Sequence, residues 1–334
     1  MKAAVIGVGY WGPNLIRNFL AHDEIESVIA CDRDEARLAK MAKTFPGIET
    51  ASDYVEIVTR DDTDIVVIAT PVSSHYPIAK LAIESGKHCF IEKPITASVA
   101  EAEELIGLAE AKGVTLFVDH TFIYTGAVRK IKEIVSSGRI GDIYYFDSVR
   151  VNLGLFQHDV NVIWDLAPHD LSIMDYLLEK KPTAVSAIGS CHVGNGLEDI
   201  AYLTLTFEND LIAHFHVNWL APVKIRKTLI GGTKSMVVFD DTEASEKIKI
   251  YDKGIDVTTR EGVYNTLVQY RTGDMISPKL DQQEALAVGT RHFLDCIRDG
   301  TRPMTDGQAG LNVVRILEAS EVSIKNQGRL VPLN

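Results

Sequence analysis

Ala3-Ala4-Val5-Ile6-Gly7-Val8-Gly9-Tyr10-Trp11-Gly12-Pro13 opens this chain and decides its fold. A short apolar strand passes directly into glycines spaced G-x-G-x-x-G, and Pro13 stands in the first turn of the following helix, a position that suits proline. Gly7 permits the tight turn, Gly9 lets a pyrophosphate approach the backbone, and Gly12 allows close helix–strand packing. The helix N-terminus then offers unpaired N–H groups and a positive dipole end to phosphates. Asp32 ends the second strand-like run, where a carboxylate accepts bonds from the adenosine ribose hydroxyls and repels a 2′-phosphate. That favours NAD. Arg33 beside it offers a guanidinium to a 2′-phosphate, so NADP remains the alternative.

Outward from this loop, short apolar runs alternate with helical periodicity. The runs are Ala3–Ile6, Ser27–Ala30, Asp64–Ala69, His88–Ile91 and Val114–Val118, and Ser98 with Glu101 has the spacing of a capping box. The pattern predicts a doubly wound parallel sheet over residues 1–122, with its ligand edge at the carboxyl ends of the strands. Past residue 122 a helix near Gly126–Ser136 leads to strand-like segments in succession joined by tight turns. The expectation for 123–334 is an α+β substrate-binding and oligomerisation domain around a largely antiparallel, open-faced sheet. Phe215, Val217 and Trp219 alternate along one segment and are expected to form an apolar face that seeks a second copy, as a dimer or tetramer. Residues 254–282 read as a surface loop or an oligomer contact.

With 334 residues, 46% of them hydrophobic and 24% charged, the chain is ordinary globular protein. A formal charge of −12 argues against nucleic acid or an anionic membrane as the main partner. No apolar run reaches the length of a membrane span, roughly 18 residues. The first strand follows Met1 too closely for a signal peptide, and Cys31, Cys89, Cys191 and Cys296 are scattered. The expectation is a reduced, cytoplasmic protein with neither disulfide nor structural zinc. No His, Cys, Asp and Glu spacing resembles a metal site.

Two motifs carry chemistry. Asp165 and His169 stand four apart among Ile163, Leu166, Leu171 and Met174, which places an acid and an imidazole on one face of a helix. Such a pair suits proton transfer, because His ionises near neutral pH and a carboxylate orients it. Glu92-Lys93-Pro94 closes a strand at the ligand edge, and the proline stops the ladder just beyond the lysine.

With both motifs in hand, the chain resembles the glucose-fructose oxidoreductase, inositol 2-dehydrogenase and rhizopine-catabolism (Gfo/Idh/MocA) family over essentially its full length. Supporting stretches are Ala69-Thr70-Pro71 with His75, Gly86-Lys87-His88, and Ser137-Gly138-Arg139-Ile140-Gly141-Asp142. The resemblance implies that Lys93 and His169 are the catalytic pair and that Asp165 orients His169 or contacts substrate. It also implies a cis peptide before Pro94 and a cofactor bed made of Gly7, Gly9, Tyr10, Trp11, Gly12, Asp32, Arg33, Thr70, Pro71, His75, Glu92, Lys93 and Pro94. Ile163-Trp164 departs from the small residues that many members carry before the acid.

Within the family, Gly7–Leu15 and Trp164–Asp170 look most like the nucleotide-sugar 3-dehydrogenases, which act on UDP-N-acetylglucosamine or its uronic acid ahead of an aminotransferase. That implies NAD-dependent oxidation of a secondary sugar hydroxyl, with an aminotransferase as a pathway partner. Candidate substrate contacts are Lys93, His120, Tyr124, Arg150, Asn152, Asn161, Asp165, His169, Lys224 and Arg226, the last two placed for a UDP pyrophosphate. Tyr124 reads equally as a sugar ligand or a domain hinge. Two other readings stand beside this one: a free-sugar or inositol dehydrogenase, and a non-catalytic sugar or dinucleotide sensor.

Overall fold

The computed structural model describes residues 1–154, 160–178, 180–193, 196–252, 254–257, 268–271 and 273–333. The chain divides into two compact units, residues 1–124 with 283–318 and residues 125–282 with 319–334.

In the first unit, β1 (Lys2–Ile6), α1 (Gly12–Leu20), β2 (Ser27–Cys31), α2 (Glu35–Thr44), β3 (Glu49–Ala51), α3 (Tyr54–Thr59), β4 (Ile65–Ile68), α4 (His75–Glu84), β5 (His88–Glu92), α5 (Val99–Lys112) and β6 (Leu116–Asp119) alternate as expected. The six strands pair in the order β3-β2-β1-β4-β5-β6, every pairing parallel. The order reverses between β1 and β4, and such a switch point opens a ligand crevice at the strands' carboxyl ends. Central strands buried on both faces need continuous apolar runs, and Ile65–Ile68 is fully buried. Ser98 caps α5 through the N–H of Glu101, as its spacing predicts. Tyr124 ends a 3-10 turn, Thr121–Tyr124, that closes this stretch.

The second unit comprises α6 (Gly126–Ser136), β7 (Ile143–Leu153), α7 (Val162–Leu177), β8 (Ala184–Ser190), β9 (Ile200–Thr206), β10 (Ile212–Asn218), β11 (Leu220–Gly232), β12 (Met236–Asp240), β13 (Ile248–Tyr251), β14 (Gly254–Val257), β15 (Val268–Arg271) and β16 (Met275–Ile276). α8 (Ala285–Asp299) and the first part of α9 (Gly307–Lys325) belong to the first unit; β17 (Val331–Pro332) returns to the second. The expected unbroken domain 123–334 is therefore corrected: 283–318 leave it, because the apolar faces of these helices pack in the first unit's core. Phe293 of α8, for example, lies against Phe90 and Phe117.

A nine-stranded sheet runs β16-β13-β12-β11-β7-β10-β9-β8-β17, antiparallel throughout except where β7 meets β10. The whole is an α/β fold: a parallel Rossmann sheet with a second, mostly antiparallel sheet. The expected apolar face needs correction. Phe215, Val217 and Trp219 are buried within the chain, and α7 packs on β10. The alternate positions face the other way, where Ile188, Tyr202 and Ile212 are exposed. The stretch 254–282, expected as a surface loop or an oligomer contact, contains strands: β14 pairs with β15 and β16 with β13, while 258–267 lie outside the described residues.

Candidate active site

The glycine loop is built as a phosphate cradle. Gly7 has φ +93°, and a Cβ there would lie 2.7 Å from the carbonyl oxygen of Ala69. A Cβ on Gly12 would collide with the carbonyl oxygen of Gly7. No side chain caps α1, as none caps α4 or α8, so its first-turn N–H groups face the loop without a side-chain acceptor. A dinucleotide's phosphates fit that arrangement.

Asp32 stands just beyond β2, its Oδ2 accepting from the N–H of Val8 at 2.9 Å and its Oδ1 from that of Asp34 at 3.0 Å. The acid thus fixes the loop whose cofactor it is expected to hold. Arg33 is exposed, and it is Arg37, in the first turn of α2, that reaches Asp32, at 3.6 Å. Sequence reading missed Arg37. The signal was available, since Asp34 caps α2 and Arg37 follows it by three, which turns the guanidinium back toward the loop.

At the ligand edge, β5 ends in Glu92 and the peptide Lys93–Pro94 is cis, as the resemblance implies. His75 opens α4 with one ring nitrogen 2.8 Å from the carbonyl oxygen of Pro94 and the other 2.8 Å from that of Thr70. It ties together the backbones of two segments assigned to the cofactor. Tyr10 is almost fully exposed, whereas Trp11 turns Nε1 inward to a buried position.

His120 follows β6 and is 1% exposed, with neither ring nitrogen bonded among the described residues. Burial and the nearby Lys93 charge push its pKa down to about 3, so it is neutral. Glu92 and Asp119 are paired positions on adjacent strands, and burial raises both carboxyls; sequence reading passed over Asp119. Two acids ending neighbouring apolar parallel strands were the signal.

Tyr124 is corrected. It is 1% exposed, stacks on Phe117, and shares a hydrogen bond with Thr305 at 2.9 Å, so it is a core residue with a satisfied hydroxyl.

In the second unit, Asn161 caps α7, its Oδ1 accepting from the N–H groups of Ile163 and Trp164, while its amide donates to Glu198. Its side chain is spent on the cap rather than on a ligand. One turn in, Asp165 Oδ2 accepts from Nε1 of Trp219 at 3.0 Å. The half-buried His169 lies a further turn along the same face.

Arg150 is also corrected. It is buried on β7 and makes a bidentate pair with Asp170 at 2.7 and 2.9 Å, which clamps α7 to the sheet beside His169.

β11 slips against β7. Leu220 pairs with Leu153 and Ile225 with Val151, so four residues, 221–224, stand opposite Asn152 alone. This bulge opens a pocket of about 310 Å³ lined by Asn152, Leu153, Pro222, Lys224 and Arg226. Three residues expected at the substrate thus meet in one place. Arg226 is the register partner of Arg150, and burial together with that neighbouring guanidinium lowers its pKa. Asp241 partly offsets the effect at 3.3 Å. Asp170 neutralises Arg150, so the pocket's positive character comes from Lys224 and the partly offset Arg226, which favour an anion.

Among the described residues no group of three or more His, Cys, Asp or Glu is placed to hold a metal, and no helix is long and apolar enough to cross a membrane.

A glycine cradle with an acid at the end of β2, on a parallel sheet with its switch point beside the cradle, defines a class: dinucleotide-binding proteins on a Rossmann fold. The comparisons are specific. Residues 1–120 match the model of the oxidoreductase family with an NAD-binding Rossmann fold, and 128–238 match the GFO/IDH/MocA C-terminal domain. The chain belongs to the Gfo/Idh/MocA family of oxidoreductases. Among its relatives, a D-apiose dehydrogenase of Paraburkholderia graminis is 26% identical, with 99% of this chain and 89% of that protein covered. UDP-N-acetylglucosamine 3-dehydrogenase of Acidithiobacillus ferrooxidans is 27% identical, with 94% of each covered. A solved structure of an enzyme with that name from the same organism superposes with a TM-score of 0.82 at 25% identity, covering 98% of each chain.

Proposed function

We propose that the protein uses NAD to oxidise a secondary hydroxyl of a nucleotide sugar, C3 of UDP-N-acetylglucosamine. The observation that carries this reading is the cationic bulge pocket of Asn152, Lys224 and Arg226, in the same unit as His169. A diphosphate supplies the charge such a pocket needs, whereas a free sugar does not. The A. ferrooxidans relative adds support. Asp32 favours NAD over NADP.

When bound, the nicotinamide supplies the hydride acceptor. His169 takes the hydroxyl proton, and Asp165, held by Trp219, orients it. The Lys93 ammonium stabilises the developing alkoxide. The two can exchange the role of base. The 3-keto product suits an aminotransferase. The protein works in the cytoplasm as a homodimer or homotetramer joined through the uncovered sheet face.

The test is NADH formation with UDP-N-acetylglucosamine against D-apiose, inositol and other free sugars. Lys93→Met and His169→Ala are expected to keep cofactor binding and to lower turnover about 10²-fold or more. Lys224→Ala should raise KM for the nucleotide sugar alone. Turnover of free sugars only would replace this reading with a free-sugar dehydrogenase, and binding with no turnover of any of them would replace it with a sensor.

A further inference from the structure

Glu92 and Asp119 end adjacent parallel strands as register partners, so their side chains leave the same face of the sheet a single strand spacing apart. Asp119 is 1% exposed, and Glu92 Oε1 is buried although the residue as a whole is partly exposed. Asp119 Oδ1 accepts from Oγ1 of Thr121 at 2.8 Å. Asp119 Oδ2, Glu92 Oε1 and Nε1 of Trp11 are all buried, and Glu92 and the indole bear on Asp119 as hydrogen-bonding neighbours. Two ionised carboxylates side by side in a dry site would be costly, and a single proton removes the cost by turning one carboxyl into a donor for the other.

We propose that Glu92 and Asp119 hold one proton between them, Glu92 as the neutral donor and Asp119 as the carboxylate, and that this singly charged pair is the positioning group for the Lys93 ammonium. The inference rests on the role of Lys93 given above. The division between the two acids follows from their surroundings. Asp119 receives the Thr121 hydroxyl, and the Trp11 indole and the Lys93 charge also favour its ionised form. Glu92 has burial and the Asp119 charge against ionisation, opposed by Lys93 and a backbone bond. Two titratable groups near Asp119 add no charge to the pair. His120, past the end of β6, is neutral, and the Tyr124 phenol is raised by burial. Lys93, whose charge acts on both acids, then meets one counter-charge rather than two.

Infrared spectroscopy of the whole protein with NAD tests the pair without any sugar. A protonated-carboxyl band is expected to persist at pH 7.5, to be absent in Glu92→Gln, and to remain in Asp119→Asn. Thermal unfolding gives a second reading. A carboxyl raised in the folded state contributes stability below its unfolded value, and that stability is lost as pH rises through the folded one. The melting temperature of Glu92→Gln relative to the parent should therefore climb as pH rises from about 4.5.

The positioning role is read from the pH profile of turnover with UDP-N-acetylglucosamine. Asp119→Asn should move the alkaline limb about one unit to lower pH, because it removes the charge that favours the ammonium. If the parent shows no protonated carboxyl at pH 7.5, or loses it only in Asp119→Asn, the shared proton or its assignment is wrong. An unmoved alkaline limb in Asp119→Asn overturns the positioning role. Absence of turnover with this sugar overturns the functional reading instead, and leaves the infrared result to decide the pair.

Discussion

Asp32 shows how one carboxylate serves structure before it meets a ligand. Its two oxygens already accept from the N–H groups of Val8 and Asp34, so the residue holds the glycine turn whatever it does for a ribose. Asp32→Ala should therefore weaken NAD more than NADP, since it loses charge-assisted bonds worth roughly 1.5–3 kcal/mol each and a repulsion against phosphate. Cofactor titrations that leave the NAD/NADP ratio unchanged would reduce Asp32 to a turn residue. His120 leads to a prediction of opposite sign to that for Glu92. Its folded pKa, about 3, lies below its unfolded value, so the unfolded chain binds the extra proton and stability falls as pH drops below roughly 6.5. At pH 5 that cost is about 2 kcal/mol, from 1.4 kcal/mol per unit. A His120→Asn variant is expected to lose less melting temperature than its parent between pH 7 and pH 5. Equal losses would mean that His120 is already charged or solvated.

At the scale of elements, α7 was largely legible. Its acid and imidazole on one face and its apolar positions stand in the local sequence, whereas its cap, Asn161, was read as a substrate contact; the helix forms over Val162–Leu177 with Pro168 inside it. What local pattern does not carry is the partner of each polar residue. Arg150 reads as a substrate ligand because it flanks the helix that carries His169; Asp170, twenty positions on, neutralises it only after β7 and α7 pack. An arginine at an inward-facing strand position needs such a partner, and that was the available hint. Removing one member leaves the other charge buried, so Arg150→Met should cost about 3–5 kcal/mol and lower turnover through the displaced His169. Arg150→Met with Asp170→Leu should recover most of the melting temperature but not the turnover. If the single variant melts like its parent, the pair is not a clamp. Among the elements that escaped notice, β3 and α3 are three and six residues long, too short for either periodicity to register.

For the whole molecule, the fold class was written in the alternation of strands and helices, but the path of the chain back to the first unit was not. A helix shows which of its faces is apolar and not which core that face will join, so α8 was placed in the wrong unit. The same limit misdirected the expected contact surface. Alternation identified Phe215, Val217 and Trp219 as one face, yet their cover is α7 from the same chain. The uncovered face carries Ile188 at 63%, Tyr202 at 43% and Ile212 at 49% exposure, with the Tyr202 ring stacked 4.4 Å from that of His216. Large apolar groups at alternate positions on neighbouring strands make a flat surface suited to a second copy of the same sheet. A C2 contact places each such residue against its equivalent region in the partner, so a charge introduced on one chain is introduced twice. Tyr202→Asp with Ile212→Asp should therefore convert the assembly to monomers at micromolar concentration in light scattering, with the melting transition of the chain retained. Charges placed on the buried Phe215 and Val217 should instead abolish folding. An unmodified protein already monomeric under those conditions would refute the contact, and a double variant that stays oligomeric would move it to another surface.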